Sequence, residues 1–287
     1  MGWCNLPPLI ERGVTGFDGK GMDRNRSAGK SDHLHEVGVT MLPEQGELAN
    51  MLDSHVAAYQ GGNLYDFDNE ILLTWYPDRI IMNSRGAVSL LELGLGHGYS
   101  TDIFSKSFVR HVVLEGSPAV IRNFRNRYPE CRAELIETYF EEFSTDERFD
   151  VIVMGFILEH VDEPEEIIRR YRNFLSQNGK IFLAVPNAEA MNRRVGQLAG
   201  LLKDTNELSA NDLLLGHKRY YTVASLTEEI RRAGCRIERM EGIYLKPFTT
   251  AQIASLKLDR GIISALCRVG VAYPELSCGI LARISTL

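Results

Sequence analysis

With 287 residues and 44% hydrophobic content, the chain is long enough for one large domain with additions and rich enough for a real core. Its formal charge of −6 argues against a general binder of nucleic acid or of anionic membranes. No window approaches the ~20 apolar residues of a bilayer span. The N-terminus shows no long apolar segment, and the expectation is a cytoplasmic protein, monomeric or homodimeric. Cys4, Cys131, Cys235, Cys267 and Cys278 form no C-x-x-C pair, which speaks against a zinc site, an iron–sulfur cluster or a disulfide framework.

Residues 1–31 are rich in glycine and carry Pro7-Pro8, so they read as an extended arm. Ala28-Gly29-Lys30-Ser31 only echoes a phosphate loop, because Arg24 stands where the leading glycine should be. His33 and His35 are a pair without partner ligands, which makes no metal site. An N-terminal helical cover is expected over 32–84. Leu48, Met51, Leu52, Val56 and Tyr59 recur at helical spacing before Gly61-Gly62, and a second amphipathic stretch runs from Asp68 towards Ile80, interrupted at Pro77. These helices either cover a ligand site or pack on a sheet edge.

From residue 85 onward, strands alternate with helices, a pattern that implies a parallel sheet with right-handed crossovers. Val88 to Leu93 reads as the first strand, a helix from Tyr99 to Ser107 follows, and His111 to Glu115 forms the second strand. Ser117 is placed to cap the next helix, with Pro118 in its first turn. Ala133 to Tyr139 and Phe149 to Phe156 are the third and fourth strands. A helix opens at Pro164, carries Ile167, Ile168, Tyr171 and Leu175, and is closed by Asn178-Gly179. Lys180 to Pro186 is the fifth strand, and 187–221 is a mostly helical insertion. Thr222 or Val223 then starts a helix through Arg232, Cys235 to Ile243 is a sixth strand, Ala251 to Val269 a long helix, and Cys278 to Ile284 a last apolar run.

The first strand runs into Gly94, Gly96 and Gly98 on alternate residues. Glycines there let backbone N–H groups approach a ligand. A phosphate loop needs Gly-x4-Gly-Lys-Ser/Thr, and a dinucleotide turn needs Gly-x-Gly-x-x-Gly, whose last glycine is replaced here by Tyr99. Glu115 ends the second strand, where an acid accepts hydrogen bonds from ribose hydroxyls.

Glu92-x-Gly94-x-Gly96-x-Gly98 resembles the first motif of the class I S-adenosylmethionine-dependent methyltransferases. Phe149 to Val161, with Leu158-Glu159-His160-Val161, resembles the fourth motif of small-molecule members such as those of quinone biosynthesis. The resemblance covers about Asp68 to the C-terminus. It implies an α/β, Rossmann-like seven-stranded methyltransferase sheet with its last strand antiparallel and helices on both faces, in an S-adenosylmethionine-binding domain over 85–287.

It also implies the cofactor S-adenosylmethionine, bound by Glu92, Gly94, Gly96, Gly98, Glu115, Gly116, Tyr139, Phe140, Gly155 and Phe156. The adenine region departs from the family, because its usual aspartate is absent near Thr138 and Tyr139; Phe140 and Phe143 read equally as core or as adenine contacts. His160 is either a general base for a hydroxyl or amine acceptor or a stabiliser of its loop. Tyr76, His217 and Tyr221 are the substrate candidates, with Tyr65, Trp75 and Arg79 as weaker ones on the N-terminal cover. Gly155 and Asn187 stand where metal-dependent catechol methylation wants acidic ligands, so no metal is expected. The implied activity is methyl transfer to oxygen or nitrogen of a small molecule, with no nucleic-acid or membrane partner. The alternatives are a methyltransferase for RNA or protein, or a non-catalytic cofactor-binding scaffold.

Overall fold

The structure, a computed structural model, describes residues 64–287. The expected arm over 1–31, the first part of the helical cover and the pair His33 and His35 lie outside the described residues.

Seven strands form one sheet in the order β3-β2-β1-β4-β5-β7-β6. They are β1 (Ser89–Leu93), β2 (Arg110–Glu115), β3 (Glu134–Glu137), β4 (Phe149–Gly155), β5 (Leu175–Pro186), β6 (Cys235–Ile243) and β7 (Gly279–Thr286). The first five are parallel, and β7 inserts antiparallel to both β5 and β6. This is the sheet implied by the two motifs. Order reverses between β1 and β4, and the crevice beyond the carboxyl ends of strands at such a point is where open α/β sheets take ligands.

Side-chain alternation along β4 builds both layers. Ile152 and Met154 face one side with Tyr171, Leu226 and Ile230, while Val151 and Val153 face the other with Tyr76, Ile80 and Phe104. The first layer is covered by α4 (Pro164–Tyr171) and α7 (Val223–Arg232), the second by α1 (Asp66–Asn83) and α2 (Tyr99–Ser105). A third cluster joins Val120 and Phe124 of α3 (Pro118–Arg127) to Val113 and Leu95.

Three local expectations are corrected. Pro77 does not interrupt the second N-terminal stretch, because α1 runs unbroken from Asp66 to Asn83 with Pro77 inside and buried. Proline in a helix interior costs about 3 kcal/mol. Complete burial of Ile80 and the Tyr76 ring on the sheet offsets this, since a side chain of that size contributes about 1.5–3 kcal/mol.

The helix opening at Pro164 ends at Tyr171 rather than at Asn178-Gly179. One tight turn, Arg172–Phe174, leads into β5, and Gly179 lies inside that strand. A Cβ on Gly179 would sit 2.7 Å from the Phe149 carbonyl oxygen, so the glycine serves close strand approach at an irregularity in the β4–β5 register.

The long helix expected over Ala251 to Val269 is divided into α8 (Thr250–Ser255) and α9 (Arg260–Gly270). Asp259 accepts the Ile262 N–H and starts a new helix there, after Lys257 turns the backbone to φ 47°.

The insertion holds α5 (Met191–Leu198) and α6 (Ala210–Leu214), the latter capped reciprocally by Ser209 and Asp212. Thr222 caps α7 in the same way, and Ser117 accepts the Val120 N–H with Pro118 at the first helical position, the latter as expected. Among the described residues no helix is long and apolar enough to cross a membrane.

Candidate functional site

A cavity of about 810 Å³ opens at the carboxyl ends of β1, β2 and β4. Its floor is the glycine turn. Gly94 donates its N–H to the Leu114 carbonyl at 2.8 Å, which hangs the turn on β2. Gly98 adopts φ 79° at the start of α2, and a Cβ there would fall 2.6 Å from Phe124 Cδ2. Gly96, at φ 47°, has nothing within 4 Å of where a Cβ would stand. Open space beside a left-handed backbone is what a ligand lying against the main chain requires.

Two carboxylates brace this turn in different ways. Glu115 accepts the Leu95 N–H on Oε2 at 3.0 Å and the Ser117 N–H on Oε1 at 2.8 Å, and it lines the cavity. Glu92 is buried beneath the turn, accepting the Ser100 hydroxyl at 2.7 Å and lying 3.0 Å from His111 Nε2. Glu92 is not among the lining residues; Ser100, which it holds, is. The direct ligand contact expected for Glu92 is therefore corrected to support of the turn. His111 had no motif to mark it, since its link to Glu92 forms only when β1 and β2 align, whereas Ser100 reaches Glu92 from the first turn of α2.

At the next position Phe140 lines the cavity, whereas Phe143 is buried against Tyr171 and Phe174. Gly116 and Tyr139 are outside the lining, contrary to expectation. Gly155 ends β4 at the cavity wall, and Phe156 follows it there. A Cβ on Gly155 would lie 2.3 Å from the Tyr76 hydroxyl, so the glycine makes room for α1. Tyr76 packs edge-on to Phe156, with ring centres 5.8 Å apart. Burial holds its hydroxyl well above the usual tyrosine range, with Glu92 adding to the shift. The helix α1 thus does both things left open by its sequence, walling the cavity through Asp68, Asn69 and Tyr76 and packing on the sheet through Ile80.

The far end of the cavity is lined by Glu159, His160, Asp212, His217, Tyr220 and Lys246. Burial pushes the Glu159 carboxyl up to about 7, against the pull of His217. His217 is lowered by its own burial, but Asp212 and Glu159 more than offset this and hold it above the ordinary histidine value. Asp212 is desolvated too, yet contacts with His217, Ser209 and Tyr220 keep it well below the usual carboxylate range. Lys246 donates to Thr250 Oγ1 at 3.1 Å and pairs with Asp68. Lys246 did not stand out in the sequence, and Tyr220 stood out only as a member of the cluster His217 to Tyr221, in which His217 and Tyr221 were favoured. Tyr221 does not line the cavity; it is a core residue whose hydroxyl donates to the Leu158 carbonyl at 3.3 Å. Arg79 also points elsewhere, making two bonds to Glu241 of β6 at 2.8 and 2.9 Å.

The family model described as "Methyltransferase domain" matches residues 59–239. The chain belongs to this methyltransferase family. Solved structures share the fold at low identity. An S-adenosylmethionine-dependent methyltransferase from Mesorhizobium loti superimposes with a TM-score of 0.51 at 17% identity, over 74% of this chain and 97% of that one. The N-methyltransferase NodS from Bradyrhizobium japonicum WM9, in complex with S-adenosyl-L-homocysteine, gives 0.54 at 14% identity, over 83% and 98%. The magnesium protoporphyrin IX methyltransferase from Synechocystis PCC 6803, with bound S-adenosyl-L-homocysteine, gives 0.54 at 11%, over 83% and 95%. No curated protein sequence matches the chain.

For this methyltransferase the sequence motifs imply S-adenosylmethionine as the donor. Its residues fit that group: open backbone at Gly96, an anchored carboxylate at Glu115 and an aromatic at Phe140 line one cavity.

Proposed function

We propose that this methyltransferase acts on oxygen or nitrogen of a small-molecule acceptor. The observation that carries this is the shape of the cavity, which runs from Gly96 and Glu115 to Glu159, His160 and His217. It is walled on either side by α1 and the 187–221 insertion, so an acceptor held at the far end is enclosed by side chains from both. A macromolecular substrate would be served by cationic side chains along the mouth. The candidates for that role are engaged elsewhere: Lys246 with Asp68, Lys218 with Asp162, and Arg193 with the Thr205 carbonyl and the Tyr220 ring.

Glu115, at the cavity wall beside the turn, takes the ribose hydroxyls, and the main chain at Gly94, Gly96 and Gly98 lies against the amino-acid end of the donor. Phe140 offers a face for the adenine. When bound, S-adenosylmethionine supplies an electrophilic methyl carbon and leaves as a neutral thioether, so positioning of the acceptor accounts for much of the rate. Tyr76 and Phe156 exclude water beside the reacting centre. His217 orients the acceptor, and His160 takes the proton of a hydroxyl or amine.

The test is incubation with methyl-labelled S-adenosylmethionine and panels of hydroxyl and amine metabolites, alongside RNA and protein pools. Label in a small molecule supports the proposal. Label only in RNA or protein overturns it.

A further inference from the structure

Three side chains at the far end of the cavity bring metal-ligating atoms together. A carboxylate oxygen of Glu159 and a ring nitrogen from each of His160 and His217 lie within 4.8 Å of one another. The two imidazoles come from distant parts of the chain, one just after β4 and one after α6, and their rings meet at 85° with centres 4.7 Å apart.

Three further observations set this group apart from a chance gathering of polar side chains. Glu159 is completely buried, yet neither carboxylate oxygen receives a hydrogen bond from another residue among those described. A buried carboxylate in that position either stays neutral or acquires a cation. His217 Nδ1 lies 3.3 Å from Asp212 Oδ1, and Asp212 is itself held by the Ser209 N–H at 2.7 Å and the Tyr220 hydroxyl at 2.8 Å. A carboxylate behind an imidazole fixes its tautomer and leaves Nε2 as the ligating atom, the usual support of a metal-bound histidine. The nearby ammonium groups are also committed, Lys218 to Asp162 and Lys246 to Asp68 and Thr250, so neither neutralises Glu159.

The geometry points to a transition-metal site at Glu159, His160 and His217, with its open coordination positions facing the cavity. Two imidazoles and one carboxylate suit Zn²⁺ or a dication of similar preference, whereas Mg²⁺ and Ca²⁺ want oxygen ligands. Bonds of about 2.1 Å place ligand atoms about 3.4 Å apart, which rotation of these side chains reaches.

The role of the site rests on the methyl-transfer reading, and it narrows the acceptor to a hydroxyl. A dication there lowers the pKa of the hydroxyl, whose proton leaves to water in the open cavity. The acceptor oxygen then forms its bond to the methyl carbon as the methyl–sulfur bond breaks with its electron pair on sulfur. An amine would lose to the metal the lone pair it needs for attack. In the metal-loaded protein His160 is a ligand, and coordination replaces it as the means of removing the proton.

The test uses tag-free full-length protein stripped with a chelator, then titrated with Zn²⁺ by calorimetry and with Co²⁺ by visible absorption. One equivalent should bind, and Glu159→Gln and His217→Gln should each lower affinity at least about 100-fold. X-ray absorption at the zinc edge of the wild-type protein should show two imidazoles with oxygen ligands, a readout that does not depend on the variants folding. Absence of stoichiometric binding, undiminished affinity in both variants, or a coordination shell without two imidazoles overturns the site. S-adenosyl-L-homocysteine affinity is measured on the same samples: if it is retained without metal binding, only the metal site falls, and if wild type binds no S-adenosyl-L-homocysteine, the methyl-transfer reading falls.

Discussion

Glu115 accepts the backbone N–H of Leu95 at 3.0 Å, so the acidic end of β2 is tied directly to the glycine turn that follows β1. Its other oxygen takes the Ser117 N–H at 2.8 Å. The carboxylate is therefore oriented before any ligand arrives, and it lines the cavity beside the turn. Hydrogen bonds to a charged group contribute about 1.5–3 kcal/mol. Glu115→Ala should weaken S-adenosyl-L-homocysteine binding by roughly 10- to 100-fold in calorimetry, and Glu115→Gln by less. An affinity equal to wild type in the alanine variant would remove the ribose assignment.

Two glycines of the same turn should respond differently to one methyl group. At Gly96 the added Cβ meets no protein atom, so Gly96→Ala costs only the left-handed backbone strain, about 1–2 kcal/mol, while it obstructs the ligand. At Gly98 the Cβ would collide with Phe124 and Tyr128. Overpacking of that kind adds about 1–3 kcal/mol. Thermal unfolding should show Gly98→Ala as clearly the less stable variant, and S-adenosyl-L-homocysteine titration should show both impaired. Equal stability of the two would contradict the packing described around Gly98.

The end of the cavity formed by the glycine turn was legible in the sequence because it is local. Gly94, Gly96, Gly98 and Glu115 stand at fixed offsets from strand ends, and strand-to-helix alternation announces those ends. The opposite end was only partly legible. His217 was singled out from its cluster, but its neighbour Tyr221 turned inward to Leu158 while Tyr220 faced the cavity. In irregular chain no period says which of two adjacent side chains points in. Lys246 and Thr250 meet Asp68 across nearly the whole length of the domain, and Glu92 meets His111 only through strand pairing. Pro77 misled for a related reason, since its local signal as a helix breaker was outweighed by burial on the sheet.

The bidentate pair of Arg79 with Glu241 joins α1 to β6 away from the cavity. Glu241 is only 3% exposed, so removing Arg79 leaves a buried carboxylate with Arg239 as its remaining ion-pair partner. Such a loss costs about 1–3 kcal/mol. Arg79→Ala should therefore lower stability in chemical denaturation while S-adenosyl-L-homocysteine affinity stays at the wild-type level. A sharp fall in affinity with unchanged stability would instead return Arg79 to the ligand contacts that its position in the N-terminal cover suggested.

Glu159 gives the chain a pH dependence whose sign can be worked out. Burial raises its carboxyl from 4.5 to about 7, so the folded protein prefers the neutral form. Below the unfolded value of about 4.5 the group is protonated in both states and imposes no penalty; as pH rises towards 7 the penalty grows, and above that it is complete. At about 1.4 kcal/mol per unit, Glu159→Gln should stabilise the protein by up to about 3 kcal/mol at pH 8 and have almost no effect at pH 4. His217 opposes this in the middle of the range, because its raised value places a positive charge beside Glu159 until it deprotonates. Denaturation of both proteins across this range should be run in chelator. A bound dication supplies Glu159 with a counter-charge and reverses the sign at high pH, making the same substitution destabilising there. A difference between the two proteins that does not change from pH 4 to pH 8 in chelator would mean that the Glu159 carboxylate is already neutralised within the fold.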